Sequence, residues 1–540
     1  MGATGVEDKL QEGVPDAIRT LLAARIRVWV ITGDKQETAM TVSVAAGLLR
    51  DPAAALVLNA RSARDTARRI TQLQVQSLAA AGAGGGGGER EGARGPELVV
   101  DGGTLMCGSK SAAAGLWLHD ALTRIVVYCS RRQILCDASL ARAFAALGAG
   151  ARAVVVCRAS PRQKSAVVKL MQRYLKAQRA ASAAAAEGTT PRSRLRAALR
   201  RVHHRPAGRT LAIGDGANDV AMLQAADVGV GIAGREGRQA VNNADYALGQ
   251  FRFLPRLLLV HGTLSQYRLA RLIKYSFYKN IAFAGLLLFF QFYAGCSGQA
   301  LYDSISAGLY NVVLTSAPVV AFALLDRPAR DDRLLAHPGL YNRSTSLTGR
   351  AFWKAILDAN VASAIAFFIP LYAVAPPPGP YRLAGMLAAG KVAYTAVLLV
   401  VTLEIVLVSR YITALFAFFA LLSFAIWFPL LWLIPLVADV NEMIGISDLL
   451  YGAPAFWLAV ALAGAASAAY RLAWLAAARH LRPSDLDLLS EEEALEQQRR
   501  VRAACASCCL RRRPRGAQQD TAAHAGDELS AASTAAANGV

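Results

Sequence analysis

Two patterns of apolar residues divide the chain near residue 275. Before it, apolar runs are short and separated by charged and small residues. Ile26–Ile31, Leu98–Asp101, Ala153–Cys157, Thr210–Ile213 and Val228–Ile232 each read as a strand followed by turn residues or a helical stretch. That alternation predicts an α/β domain with a parallel sheet, with a helix from about Gln36 after the first strand. Two insertions interrupt it. Ala80–Gly95 contains five consecutive glycines at 84–88 and reads as a flexible linker, and Lys176–Gly208, rich in Ala and Arg, reads as a loop or loose helix. The glycine run is no phosphate-binding Walker loop, because no Gly-Lys-Ser/Thr follows it.

After residue 275 the apolar stretches reach membrane length. About six helices are predicted, at roughly 275–295, 303–325, 352–374, 388–408, 411–435 and 454–477, each close to the ~20 residues that cross a bilayer. The domain plan is therefore 1–270 with insertions at 80–95 and 176–208, then 271–478 in the membrane, then a basic tail at 479–540. Loop 326–351 carries Arg327, Arg330, Arg333, Arg343 and Arg350, the joint at 409–411 has Arg410, and the tail is Arg-rich. Loops 296–302 and 436–453 contain no Lys or Arg, and loop 375–387 has Arg382 alone. The positive-inside rule places the first set, the soluble part and the tail in the cytosol.

Composition sharpens this picture. Apolar residues make up 54% of the 540 positions, and mean hydropathy is +0.32. Lys and Arg number 59 against 38 Asp and Glu, a net charge of +21. Such a surplus fits nucleic acid or an anionic membrane surface. The long apolar runs decide for the membrane and against nucleic acid. Of eight cysteines, only Cys296 falls near the far side, so no disulfide framework is predicted. The charged start, Met1 to Glu12, is neither a signal nor a transit peptide. In the tail, Cys505, Cys508 and Cys509 stand beside Arg511–Arg513, a setting for palmitoylation. A disordered, solvated tail is the favoured reading, and no matching ligand pair supports a metal site there.

Three segments of the soluble part carry chemistry. ITGDKQET at 31–38 follows a strand and places the Thr32 hydroxyl and the Gly33 backbone where phosphate oxygens are held. CRASPRQKSAVV at 157–168 opens a helix with Lys164, whose ammonium would face a phosphoryl group. AIGDGANDVAML at 212–223 is again strand, glycine turn and helix. Asp215 ends the strand and Asp219 lies four residues on, a carboxylate pair suited to Mg²⁺, while Asn218 can hydrogen-bond a phosphate oxygen.

Thr, then Lys, then paired Asp at strand ends resembles the haloacid dehalogenase phosphotransfer core, with its Rossmann-like parallel sheet. ITGDKQETA and GDGANDVAML further resemble the hinge and magnesium motifs of P-type ATPases. VEDKLQEGVPDAI at 6–18, CRASPRQK at 157–164, FRFLPRLLLVHG at 251–262, FYKN at 277–280, GCSGQALYD at 295–303 and YNVVLTSAPVV at 310–320 resemble the lipid-transporting type IV branch. FRFLPRLLLVHG points towards the class V flippases. The resemblance runs from about residue 2 to residue 490 and implies an α/β haloacid-dehalogenase-like cytosolic domain followed by an all-α bundle. It also implies ATP-driven movement of phospholipid from the outer to the cytosolic leaflet, through Mg²⁺-dependent aspartyl phosphorylation. By motif, Thr32, Gly33, Asp34 and Arg158 would contact nucleotide or phosphate, and Lys164 the phosphoryl group. Asp215 and Asp219 would hold Mg²⁺, and Asn218 the phosphoryl or nucleotide. Lys279 and Asn280 match the family's lipid path; a lysine within a membrane helix is costly and so points to function, with snorkelling from near the cytosolic end as the blander account. The family also implies an accessory glycoprotein β subunit, and residence in plasma, Golgi, endosomal or endoplasmic reticulum membranes.

The sequence departs from that family in one decisive place. The phosphorylated aspartate of P-type pumps sits in a DKTGT loop, and none occurs here; the Asp-Lys pairs are Asp8-Lys9 and Asp34-Lys35. The nucleotide-binding and actuator domains and the first four membrane helices have no counterpart either. Without a nucleophile the chain alone is expected to be inactive, and a truncated gene model is the preferred explanation. A non-catalytic fragment that regulates a complete pump is the main alternative. A cation pump is disfavoured because Glu404 is the clearest buried acid and one carboxylate makes a poor cation cage. A membrane-anchored phosphatase would need its own Asp before Ile26–Ile31.

Overall fold

The computed structural model describes residues 10–50, 55–59, 63–82, 97–101, 137–184, 208–234, 238–342, 347, 349–374, 385–437, 445–481, 483–493 and 495–496. Most of the glycine-rich linker, residues 185–207, loop 375–384 and the cysteine- and arginine-bearing tail lie outside them. The chain separates into two compact units. One comprises Met1–Gln266 with Asp331–Thr345, the other Tyr267–Arg330 with Ser346–Val540. The plan of uninterrupted domains did not anticipate that Asp331–Thr345 groups with the first unit.

The first unit contains two parallel sheets. Strands β1 (Val28–Ile31), β2 (Leu56–Leu58), β3 (Glu97–Asp101) and β4 (Ala153–Cys157) form a sheet in the order β1-β4-β3-β2. The register pairs Val28 with Ala153 and Leu98 with Val154. Strand β4 is an unbroken apolar run because both of its faces are covered. Val154 and Val156 join Leu98, Val100, Phe144 and Ile70 on one face. Ala153, Val155 and Cys157 join Val99, Ile18, Leu48 and Leu49 on the other. Helices α1 (Val14–Ala23) and α2 (Gln36–Ala45) cover the second face. The first is covered by α3 (Ala63–Gly82), α4 (Ala138–Gly150) and α5 (Pro161–Ala184). Asp137 caps α4 by accepting from the Ser139 and Leu140 N–H groups at 2.7 and 3.3 Å. Gly148 in α4 leaves room for the Trp29 ring, which a Cβ would meet at 2.7 Å.

The second sheet is β5 (Leu211–Gly214), β6 (Val228–Ile232) and β7 (Tyr246–Leu248), in that order and all parallel. Short helices α6 (Val220–Leu223) and α7 (Gln239–Asn242) connect them. Gly231 in β6 allows α7 to approach so closely that a Cβ would lie 2.7 Å from the Val241 Cα. Asp227 ties the start of this sheet together by accepting from the Thr210 N–H at 2.9 Å and its hydroxyl at 3.0 Å. Burial pushes the Asp227 carboxyl up, but these two donors and the nearby Arg209 and Lys176 outweigh it, so its pKa lies below the usual value. The two sheets are linked by packing: Ile31 of β1 and Val168 of α5 rest on the cluster of Ala212, Met222, Leu223 and Ala240.

The second unit is helical. Its first helix is α8 (Thr263–Tyr293), which belongs to this unit from Tyr267 on, followed by α9 (Ser304–Leu309) and α10 (Ser316–Leu325). After α11 (Asp331–Ala336) of the first unit come α12 (Gly349–Val374), α13 (Met386–Val408), α14 (Ala414–Ala425), α15 (Trp427–Val437), α16 (Ile446–Gly452) and α17 (Pro454–Leu481). Five spans among the described residues are long and apolar enough to cross a membrane: Ser304–Leu325, Gly349–Ala373, Met386–Val408, Ala414–Leu436 and Pro454–Leu481. The first of the six predicted helices forms as α8 and is long, but it is not among them; Lys279, Asn280 and Gln291 interrupt its apolar run. Two of the spans are broken. Between α9 and α10 the backbone takes a π-helical path at Tyr310–Leu314 and leaves helical geometry at Thr315. The freed Leu314 carbonyl accepts from the Ser423 hydroxyl, and the Tyr310 carbonyl from the Thr315 hydroxyl at 2.7 Å. Such internal repair is what lets irregular backbone persist at membrane depth. Asp326, 2% exposed, gathers the ends of several helices: it accepts from the Arg410 and Tyr411 N–H groups, both at 3.0 Å, and pairs with Arg271 at 3.4 Å.

Candidate functional site

In the first unit, three motif loops follow the ends of β1, β4 and β5. The Thr32 N–H extends the ladder to the Val156 carbonyl at 2.8 Å, and the Ala159 N–H returns to the Thr32 carbonyl at 2.9 Å. The Arg158 N–H reaches the Asp34 carbonyl at 2.8 Å. These bonds lock the loop 32–34 onto the loop 157–159. The Thr32 hydroxyl donates to the Asp34 carboxylate at 2.6 Å and accepts from the Asp34 N–H at 3.2 Å. The Thr32 N–H, carbonyl and hydroxyl are thus all engaged locally. Gly33 is exposed, and its N–H has no partner among the described residues. Arg158 adopts a left-handed φ of 51°, a conformation that costs a non-glycine residue about 1–3 kcal/mol. Its guanidinium lies 3.9 Å from Asp101.

Lys164 is placed by the start of α5. Pro161 opens the helix, and the Gln163 side chain accepts from the Ser160 N–H at 2.8 Å, half of a capping box. One turn in, the Lys164 ammonium donates to Asp219 Oδ1 at 2.9 Å, with 14% of each side chain exposed. Asp219 is delivered by the turn after β5, where its N–H bonds the Gly216 carbonyl at 3.1 Å. Gly214 makes the turn possible: a Cβ there would lie 2.6 Å from the Asp219 Cβ. Asp215 and Asn218 are exposed on the same turn. The fold therefore unites Lys164 and Asp219, which are distant in sequence. It leaves Asp215, Asn218, Gly33 and Arg158 open to solvent.

The second unit holds its own polar locus. Lys279 in α8 is 7% exposed and donates to Asn311 Oδ1 and Thr315 Oγ1, each at 2.7 Å. The Tyr310 hydroxyl donates to the Lys279 carbonyl at 2.9 Å, and the Lys279 ammonium lies 5.5 Å from the Tyr310 ring centre. No carboxylate partner of Lys279 is found among the described residues. Asn280, paired with Lys279 in the sequence reading, is exposed instead. Asn311 and Thr315 were missed by the sequence reading; a polar Asn and Thr within an apolar run beside a proline were the available signal.

The remaining buried acids in the second unit do have cations. Asp358 pairs with Lys354 at 2.8 Å and Arg471 at 3.4 Å and accepts from Tyr470 at 2.9 Å. Glu404 Oε1 lies 3.1 Å from Arg471 Nε, an ion pair without hydrogen-bond alignment. Glu404 is thus one of several buried acids rather than the clearest one. No cluster of three His, Cys, Asp or Glu that could hold a metal occurs among the described residues.

Residues 241–484 match the family described as phospholipid-translocating P-type ATPase, C-terminal. Residues 197–249 match haloacid dehalogenase-like hydrolase. The human phospholipid-transporting ATPase VD is 34% identical over 418 residues, 76% of this chain and 26% of that protein. The mouse phospholipid-transporting ATPase ID is 32% identical over 480 residues, 86% of this chain and 36% of the relative. The chain belongs to the type IV P-type ATPases. An Arabidopsis thaliana protein, probable phospholipid-transporting ATPase 5, is similar over more of it, 32% identical across 91% of this chain and 36% of its own length. The chain spans about a quarter to a third of the length of these relatives. For a type IV P-type ATPase the observed fold is the fitting one: a parallel α/β unit of the haloacid-dehalogenase-like kind and a helical transmembrane region.

Magnesium fits the residues present. The ion takes one or two carboxylates and completes its shell with phosphate and water. Asp215 and Asp219 supply that number on one turn, and Gly214 keeps the space beside Asp219 free of a side chain.

Proposed function

We propose that this chain is part of an ATP-driven phospholipid flippase, carrying the distal half of its phosphorylation domain and its last membrane helices. The observation that carries the reading is Lys279, a buried membrane cation held by the neutral oxygens of Asn311 and Thr315. A cation pump needs unpaired oxygen-rich acids at membrane depth. Here Asp358 and Glu404 are matched by Lys354 and Arg471, and Lys279, which has no acid beside it among the described residues, is itself positive. Such a site attracts an anionic headgroup and repels cations.

The phosphate chemistry belongs to the first unit. Thr32, Gly33, Asp34 and Arg158 bind nucleotide or phosphate, and Asn218 orients a phosphoryl oxygen. Lys164 neutralises the transferring group, and Asp215 and Asp219 hold Mg²⁺. The ion supplies charge neutralisation on the phosphoryl group. The acceptor aspartate comes from polypeptide outside this chain, since no DKTGT occurs in it. Strand β1 pairs only with β4, and β5 only with β6, among the described residues, so each sheet keeps an open parallel edge. Ile31 and Ala212 already bring those edges into one hydrophobic cluster. A strand inserted between them would join the sheets and satisfy both rows of backbone groups, with its end beside Lys164 and Asp219. The soluble unit and tail face the cytosol, lipid moves from the outer to the cytosolic leaflet, and an accessory glycoprotein β subunit accompanies the pump.

The test is to purify the chain in nanodiscs with and without the upstream part of the longer polypeptide, and to supply Mg²⁺ and radiolabelled ATP. The chain alone should form no hydroxylamine-sensitive phosphoprotein. The joined protein should form one and move a fluorescent phospholipid in liposomes. Phosphorylation of the lone chain would refute the missing nucleophile. ATP turnover stimulated by cations and indifferent to lipid would refute the flippase reading. A second reading, a non-catalytic chain that regulates a complete pump, is favoured by the same missing aspartate. It predicts that the chain changes the activity of a separate full-length flippase.

A further inference from the structure

Apart from the sites above, the second unit buries an ion pair whose role is unexplained. Lys391 of α13 pairs with Asp303, with only 7% and 11% of the side chains exposed. The same ammonium donates to the Ser306 hydroxyl at 2.7 Å, and the Tyr394 hydroxyl donates to the Ser306 carbonyl at 2.7 Å. Asp303 also caps α9 by accepting from the Ser306 N–H at 2.8 Å. Beside them, Gly390 lies so close to Leu301 that a Cβ would collide with its carbonyl oxygen. Together these contacts fix one face of the first turn of α9 against α13.

A buried ion pair adds little net stability, because desolvation offsets most of its attraction. Its best-supported use is to fix register. The register at stake is visible along the helix. Asn311 lies five residues beyond Ser306 and Thr315 four residues further, across the π-helical segment Tyr310–Leu314. Rotation of α9 by a single residue, about 100°, would carry Asn311 away from Lys279. At the other end of the same span, Asp326 is held by the Arg410 and Tyr411 N–H groups. Both ends are pinned, and the π-helical segment Tyr310–Leu314 lies between them.

We propose that Asp303, Ser306, Lys391 and Tyr394 form a rotational lock that positions Asn311 and Thr315 on Lys279. The lock deepens the reading of Lys279 as part of the lipid path and rests on it, so its test reads geometry and not transport. The chain is placed in phospholipid nanodiscs, and the rate at which a small amine-reactive reagent modifies each lysine is measured by mass spectrometry. The double variant Asp303→Asn with Lys391→Met keeps a capping side chain and removes both charges. Lys279 should react about five-fold faster in it, the change expected when one hydrogen-bonded arrangement is lost, with Lys354 and the thermal midpoint unchanged. Lys391→Arg should keep the slow rate. If the double variant does not fold, Tyr394→Phe removes one hydroxyl and should accelerate Lys279 about two-fold. An unchanged Lys279 rate in the folded variants, or equal acceleration of every lysine, would overturn the lock. Failure of the lipid reading appears separately, as absence of lipid movement by the joined protein.

Discussion

Lys164 and Lys279 are two shielded lysines in two units, and their partners are opposite in kind. Lys164 meets a carboxylate, Asp219. Lys279 meets two neutral oxygens. The first charge is balanced within the fold and, in the proposed pump, would be shared with an arriving phosphoryl group. The second is left unbalanced in a region where uncompensated charge is costly, so the fold gives up stability to keep it. Under the proposed function, charge matched in place would serve chemistry that must be switched on, and charge left unmatched would serve binding of an anion.

Lys164→Ala in the joined protein gives the largest expected effect. Phosphoprotein formation should fall by about 100- to 1000-fold, the range for removing a preorganised charge-stabilising donor, while lipid binding persists. A smaller loss in a phosphorylation time course would mean that Lys164 serves folding more than chemistry. Lys279→Met sharpens the contrast. Lipid transport should fall about ten-fold, the size of a lost charged hydrogen bond, while the thermal midpoint holds or rises because a buried charge is gone. Lys164→Met should instead lower the midpoint, since Asp219 loses its partner. Midpoints moving in the same direction would break the comparison. Thr315→Val should cost about three- to five-fold in apparent lipid affinity through one lost acceptor, visible as a shifted lipid titration of ATPase activity. The smallest effect concerns acid. Asp227 has a pKa held below the ordinary 3.8, so the folded state prefers its ionised form. The resulting stability is complete above the ordinary value and is lost as pH falls through the lowered one. Asp227→Asn should therefore flatten the drop in thermal midpoint between about pH 5 and about pH 3.

The motif loops were legible because each follows a strand that the apolar pattern marks clearly; β4 and β6 fall at the predicted residues. Strands β2 and β7 were not anticipated. Each has three residues, and β7 is largely exposed, so neither produces a pattern distinct from a loop. The residue types of the candidate phosphate site could be read, but the pairing of Lys164 with Asp219 could not, because it depends on how α5 crosses the turn after β5. In the membrane unit the spans were readable from length. The break at Tyr310–Thr315 was not, since YNVVLTS continues the apolar run and the repair comes from Ser423, far along the chain. Neighbours in sequence also part in space: Lys279 and Asn280 lie on different faces of α8, one buried and one exposed.

Helix α13 carries Lys391 and Glu404, and their partners lie on either side of it in the chain: Asp303 before, Arg471 after. Synthesis runs from the N-terminus, so Asp303 is already in place when α13 emerges, whereas Arg471 is not. Glu404 therefore meets its partner only once α17 has been made. Pairing along α13 is thus completed only by the last of the described spans.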